Sequence, residues 1–76
     1  MRFYFDIEGE GAATIDGEGC ECESLLSMRL KTVEILAEIA GDHPRNPERV
    51  ELVAWVRDTG GVVVHKARLT ILGGSN

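Results

Sequence analysis

Cys20 and Cys22, one residue apart, together with His43 and His65, are the side chains in this 76-residue chain whose types could ligate a soft metal. On a strand the Cys20-Glu21-Cys22 spacing puts both thiols on one face, where a histidine could complete a site. Structural zinc centres generally use two separated ligand pairs, and here there is one tight pair and two unpaired imidazoles. The spacing is also poor geometry for a bridge between the two thiols. Cys20 and Cys22 are therefore expected to be reduced, semi-buried residues leading into a helix, with no metal and no cofactor. His43 falls in an exposed loop. His65 falls by parity on an inward face beside Ala54, where one backbone partner satisfies an imidazole.

The stretch Asp16 to Glu23 offers carboxylates separated by glycines, the ligand type of a hard cation, but lacks the D-x-[DN]-x-[DN]-G spacing of a calcium loop. It reads as a solvated, charged surface. Phosphate loops, G-x-S-x-G and a recognisable Cys and His pairing are absent, so no catalytic residue is assigned and the chain is not expected to be an enzyme. Arg29 lies inside an apolar helical arc and needs a carboxylate, with Asp16, Glu18 and Asp58 in question. A structural ion pair of Arg29 with Asp16 is the expectation.

The elements that must position these residues follow from periodicity. Phe3, Phe5 and Ile7 alternate with Tyr4, Asp6 and Glu8, the pattern of a strand with one buried face. A loop at Gly9-Glu10-Gly11 would set Ile7 opposite Ala13 and Phe5 opposite Ile15. Ser24 is a suitable N-cap, and Gly41 followed by Pro44 supplies a stop, giving a helix from about Leu25 to Ala40. Its apolar residues, Leu25, Leu26, Met28, Leu30, Val33, Ile35, Leu36, Ile39 and Ala40, spread over more than half the circumference, wider than one sheet face requires.

Beyond the loop His43-Pro44-Arg45-Asn46-Pro47, Val50, Leu52, Ala54 and Val56 form the inward set of a third strand. Asp58-Thr59-Gly60-Gly61 is a turn and Val62 to Leu72 a fourth strand. A turn at Thr59-Gly60 pairs Val56 with Val63, Ala54 with His65, Leu52 with Ala67 and Val50 with Leu69. On the other face it sets Trp55 beside Val64, Val53 beside Lys66, and Glu51 beside Arg68. The fold class is α+β, of ββαββ order, with one helix on one face of a four-stranded, mainly antiparallel sheet. Residues 1–72 make one domain and 73–76 a frayed tail. Strand order stays open.

Thirteen acids against eight bases give a formal charge of −5, which argues against a protein built mainly to grip phosphate backbones. Seven of the acids, Asp6, Glu8, Glu10, Asp16, Glu18, Glu21 and Glu23, precede the helix in a stretch without Lys or Arg. No segment approaches the roughly 20 apolar residues that cross a bilayer, and the N-terminus lacks an apolar run of signal-peptide length. Cytoplasmic placement, away from membranes, is expected.

The open sheet face carries the functional expectation. Tyr4, Val53, Trp55, Val62 and Val64 point away from the helix, with Arg57, Lys66 and Arg68 among them. Such a patch marks an interaction surface. The first reading is a protein-interaction module in which two copies stack these faces, or join an edge strand, to make a homodimer, with a further protein partner also an option for the face. The alternative is a basic, aromatic platform for single-stranded nucleic acid, using Arg2, Arg57, Lys66 and Arg68 around Tyr4 and Trp55.

Phe3-Tyr4-Phe5-Asp6, Asp16-Gly17-Glu18-Gly19, Arg29, Val56-Arg57-Asp58-Thr59-Gly60-Gly61 and Arg68-Leu69-Thr70 give the chain its likeness. Over about residues 3 to 70 it resembles a family of short bacterial proteins catalogued as a domain of unknown function. The resemblance implies a compact single-domain protein encoded alone, with no activity, ligand or catalytic residue to transfer. Cys20, Cys22 and Trp55 depart from that pattern, so roles built on them would be peculiar to this chain.

Overall fold

The computed structural model describes residues 1–9, 11–42 and 49–72. His43, Pro44, Pro47, Glu10 and the tail at 73–76, which enter the loop, stop and tail expectations, lie outside them. The order is β1 (Arg2–Gly9), β2 (Ala12–Thr14), β3 (Cys20–Glu21), α1 (Leu25–Gly41), β4 (Arg49–Arg57) and β5 (Val63–Leu72). The sheet runs β2-β1-β4-β5, every pairing antiparallel, with the short β3 joined to the start of β1. Among the described residues it is an open α+β sheet with one helix. The short β3 adds to the four strands expected.

The helix begins where Ser24, in extended conformation, accepts the Ser27 N–H on its side chain. That bond satisfies one of the donors that the first turn leaves free. The core is the layer between α1 and the sheet. Toward the helix N-terminus, Met28 packs with Phe3, Phe5, Cys22 and Val56; toward its C-terminus, Leu36 packs with Val50, Leu52 and Ala54. Thr32, fully buried between these clusters, gives its hydroxyl proton to the Met28 carbonyl at 2.8 Å. A buried hydroxyl is tolerated because it finds that partner.

Both hairpin registers differ from expectation. In the first, Ile7 faces Thr14 and Glu8 faces Ala13. β1 continues through Gly9 and β2 starts at Ala12, so the connection is shorter than three residues. Gly11 turns there at φ +77°, a left-handed conformation glycine accepts without strain. A one-residue slip moves side chains to the opposite face. Ile15, expected in the core opposite Phe5, is 70 % exposed.

In the second hairpin the slide is two residues: Val56 faces His65, Ala54 faces Ala67, Leu52 faces Leu69 and Val50 faces Ile71. Asp58 causes it. Its Oδ1 accepts the N–H groups of Gly60 and Val62 at 2.9 and 3.0 Å, and its own N–H reaches the Val62 carbonyl at 2.9 Å. The loop therefore closes over residues 58–62, with a bulge between Val56 and Arg57, and Val62 belongs to the loop and not to the strand. An even slide keeps the side chains from Val50 to Val56 on their faces, so the core assignment survives there while the outer partners change; past the bulge Val63, expected inward opposite Val56, pairs with Arg57 and is exposed. Trp55 now faces Lys66 and Val53 faces Arg68. Glu51 lies opposite Thr70 and pairs with Arg49 at 3.3 Å, in place of the expected Arg68.

Candidate interaction surface

β1, β4 and β5 lie side by side, so the open face is organised in cross-strand rows. One row is Asp6, Trp55 and Lys66; the next is Glu8, Val53 and Arg68. Acids come from β1, the apolar side chains from the middle strand β4 and bases from β5. Trp55 is held from both sides: its indole N–H donates to Glu8 Oε1 at 3.1 Å, and Lys66 Nζ lies 4.4 Å from the ring centroid. An indole bound this way has its polar edge satisfied and one face under a cation.

At the end of this face Tyr4 lies beneath Arg57, whose guanidinium carbon is 5.1 Å from the ring centroid. Arg57 grips Asp6 with two bonds, Nε to Oδ2 at 2.7 Å and Nη2 to Oδ1 at 3.0 Å, and Nη2 also donates to the Asp16 carbonyl at 3.0 Å. This paired, planar geometry is the strong form of an arginine–carboxylate contact. The Asp6 side chain is only 14 % exposed, and the Arg57 hydrogen bonds hold its carboxyl below the usual range against the opposing effect of burial.

Asp16 ties the following loop to the same place. Its carboxylate accepts the N–H of Phe5 at 3.1 Å and those of Glu18 and Gly19 at 3.0 Å, while its own N–H donates to Asp6 Oδ1 at 3.0 Å. Burial pushes the Asp16 carboxyl up, and the three N–H donors, with the Arg57 charge, outweigh it and hold the group low. Gly19 is at φ +78°, and a Cβ there would lie 2.9 Å from the Tyr4 ring and 3.0 Å from the Phe3 carbonyl. Only glycine fits.

Phe3-Tyr4-Phe5-Asp6, Asp16-Gly17-Glu18-Gly19 and Val56-Arg57, remote in sequence, thus meet in one knot. A family model matches residues 2–70, nearly the whole chain. The chain belongs to the family described as a domain of unknown function, DUF6894. No curated protein and no solved structure matches it. The open face of this DUF6894 domain is positioned by the cross-strand and loop contacts of Trp55, Arg57, Asp6 and Asp16.

Tyr4, Val53, Trp55 and Arg57 are half-buried on this face, and Lys66 and Arg68 are exposed there. Val62 and Val64 are also exposed, but Val62 stands in the loop after β4, and Val64, at the bulge and not beside Trp55 as expected, lines a recess with Phe3 and Leu25 on the helix side. The Arg29–Asp16 pair is not formed. Arg29 is exposed on α1, where solvent serves it, and the carboxylate of Asp16 is filled by backbone N–H groups. The arginine that needed a carboxylate is Arg57, and the carboxylate is Asp6. Sequence carried a signal for this, since Asp6 and Tyr4 share a strand face, but adjacency of β1 and β4 had to be known to use it.

The thiols lie on the opposite side. Cys22 is buried in the core cluster, and that burial pushes its thiol pKa up, away from the reactive thiolate; Cys20 is half-buried. Among the described residues no group of three or more His, Cys, Asp or Glu side chains is placed to hold a metal ion. His65 sits half-buried on the core face of β5, and His43 lies outside the described residues. No described helix is long and apolar enough to cross a membrane.

Proposed function

We propose that this domain is a small protein-interaction module that self-associates through the open face of its sheet. The observation that carries the reading is the arrangement of that face: a half-buried indole fixed by Glu8 and Lys66, an apolar row on β4, and opposite charges on the strands to either side. Pre-positioned aromatic side chains make good anchors because little conformational freedom is lost when they are covered. Three strands about 4.8 Å apart give a narrow patch, well under the roughly 800 Å² per partner of a standard interface. The association is therefore concentration-dependent and not obligate.

The titratable groups gathered at the knot spend their hydrogen bonds on one another and on backbone, which supports a structural and not a catalytic role for Asp6, Asp16 and Arg57. The free thiols Cys20 and Cys22 fit a reducing compartment such as the cytoplasm. Nucleic-acid binding has less support. Stacking bases would have to displace Lys66 from Trp55 and Arg57 from Tyr4, next to the acids of β1. Sedimentation equilibrium of the wild type and of Trp55→Ala tests the reading. A wild-type dimer that the variant weakens is expected; a dimer indifferent to Trp55→Ala would overturn it.

A further inference from the structure

The strand order of the open face also fixes how a second copy must sit. Resting on the self-association just proposed, we infer that two copies stack β4 on β4 about a two-fold axis running nearly along the strands, so that Glu8 of each copy meets the partner's Arg68. The partner is a second copy of this chain, and charge complementarity selects the geometry.

Two identical sheet faces can be closed by a two-fold axis in the plane between them, lying either along the strands or across them. In aligned sheet packing, the class in which cross-strand rows can overlie one another, strands stay within about 30° of each other, which leaves these two families. With the axis across the strands, each strand overlies itself. β1 would then face β1 and β5 face β5, setting Glu8 near the partner's Glu8 and Arg68 near the partner's Arg68. With the axis along the strands, left and right exchange. β1 then overlies the partner's β5, while β4 remains over β4.

Because Glu8, Val53 and Arg68 occupy one row, that second arrangement keeps the row in register with its own copy. Val53 meets the partner's Val53, Trp55 the partner's Trp55, and two symmetry-related Glu8–Arg68 contacts close the flanks. Asp6 contributes less, since Arg57 already holds it. Glu8 and Arg68 are exposed, and neither takes part in an ion pair among the described residues.

The experiment is a charge exchange read by sedimentation equilibrium at low and high salt, with circular dichroism confirming that each variant is folded. Glu8→Arg and Arg68→Glu should each weaken the dimer by about tenfold, because each makes two like-charge contacts. The double variant Glu8→Arg/Arg68→Glu should recover to within about threefold of wild type, since the exchanged charges again oppose. Glu8→Gln, which keeps an acceptor for the Trp55 indole, separates loss of charge from loss of that bond and should weaken the dimer less than Glu8→Arg.

A dimer that Trp55→Ala dissociates but that neither charge reversal weakens would overturn the geometry and leave the open-face reading standing. Failure of the double variant to recover would do the same. A wild type that stays monomeric at every concentration overturns both. So does a dimer lost only on Leu30→Glu, which would move the contact to the helix.

Discussion

The two outward surfaces of this domain finish their large side chains differently. On the sheet, Trp55 and Tyr4 lie under Lys66 and Arg57, and the indole N–H has an acceptor. On the helix, Leu26, Leu30 and Val33 are 64, 62 and 61 % exposed, on the side of α1 opposite the buried Met28, Thr32 and Leu36. A strand borrows from neighbours on both sides, so residues remote in sequence can satisfy an aromatic ring. A helix alone on its layer among the described residues has only its own neighbours at three and four residues, and here Leu30 has Leu26 and Val33 among them. The broad apolar arc of α1 is therefore a second, bare stripe and not a deeper burial.

The largest effect should come from breaking what fixes the sheet face. Asp16→Ala strands the N–H groups of Phe5, Glu18 and Gly19 and should cost about 2 to 3 kcal/mol. A thermal melt should then shift down on the order of 15 °C for a domain of this size. Arg29→Ala, by contrast, should stay within about 0.5 kcal/mol, as expected of an exposed side chain without a special contact. Equal losses in the two variants would revive the Arg29–Asp16 pair.

Acid should act on the same knot. Asp6 and Asp16 both titrate below the ordinary aspartate range when folded, so their contribution is fully present above the unfolded value and is lost as pH falls through the folded values. Stability should decline from about pH 4 downward. Asp16→Asn should flatten that decline, measured as melting temperature against pH. An unchanged slope in the variant would remove Asp16 from the account.

Trp55→Phe keeps an aromatic ring for Lys66 but removes the indole donor to Glu8, and should cost about 0.5 to 1 kcal/mol in denaturant titration. The smallest effect is expected on the helix. Leu30→Gln removes exposed apolar surface and should change stability by less than about 0.5 kcal/mol. A loss above about 1 kcal/mol would mean that something covers the stripe in solution, and the contrast between the two surfaces would fail.

The elements and their faces were legible because burial writes itself into period: Phe3 and Phe5, and Val50, Leu52, Ala54 and Val56, are inward as the alternation requires. Ser24 was legible as a cap because its chemistry is local. Registers were not, since Asp58 lengthens one turn with its side chain and the first hairpin closes one residue tighter than its glycines imply. Parity alone sets Tyr4, Val53, Trp55, Arg57, Lys66 and Arg68 on one face, and it fails for Val62 and Val64, which lie in the loop and at the bulge. The Asp6–Arg57 pair is not legible in sequence, because it joins residues 51 apart through a strand adjacency that has no local signature.

β5 is ten residues long and, among the described residues, pairs only with β4. A free strand of that length, rich in Val, Ile and Leu, is the kind of template that seeds amyloid. Lys66 and Arg68 act as gatekeepers against it. Any antiparallel joining of two β5 edges centred on Ala67 would set Lys66 directly against a second Arg68, so the bases that line the open face also discourage fibrils at the rim.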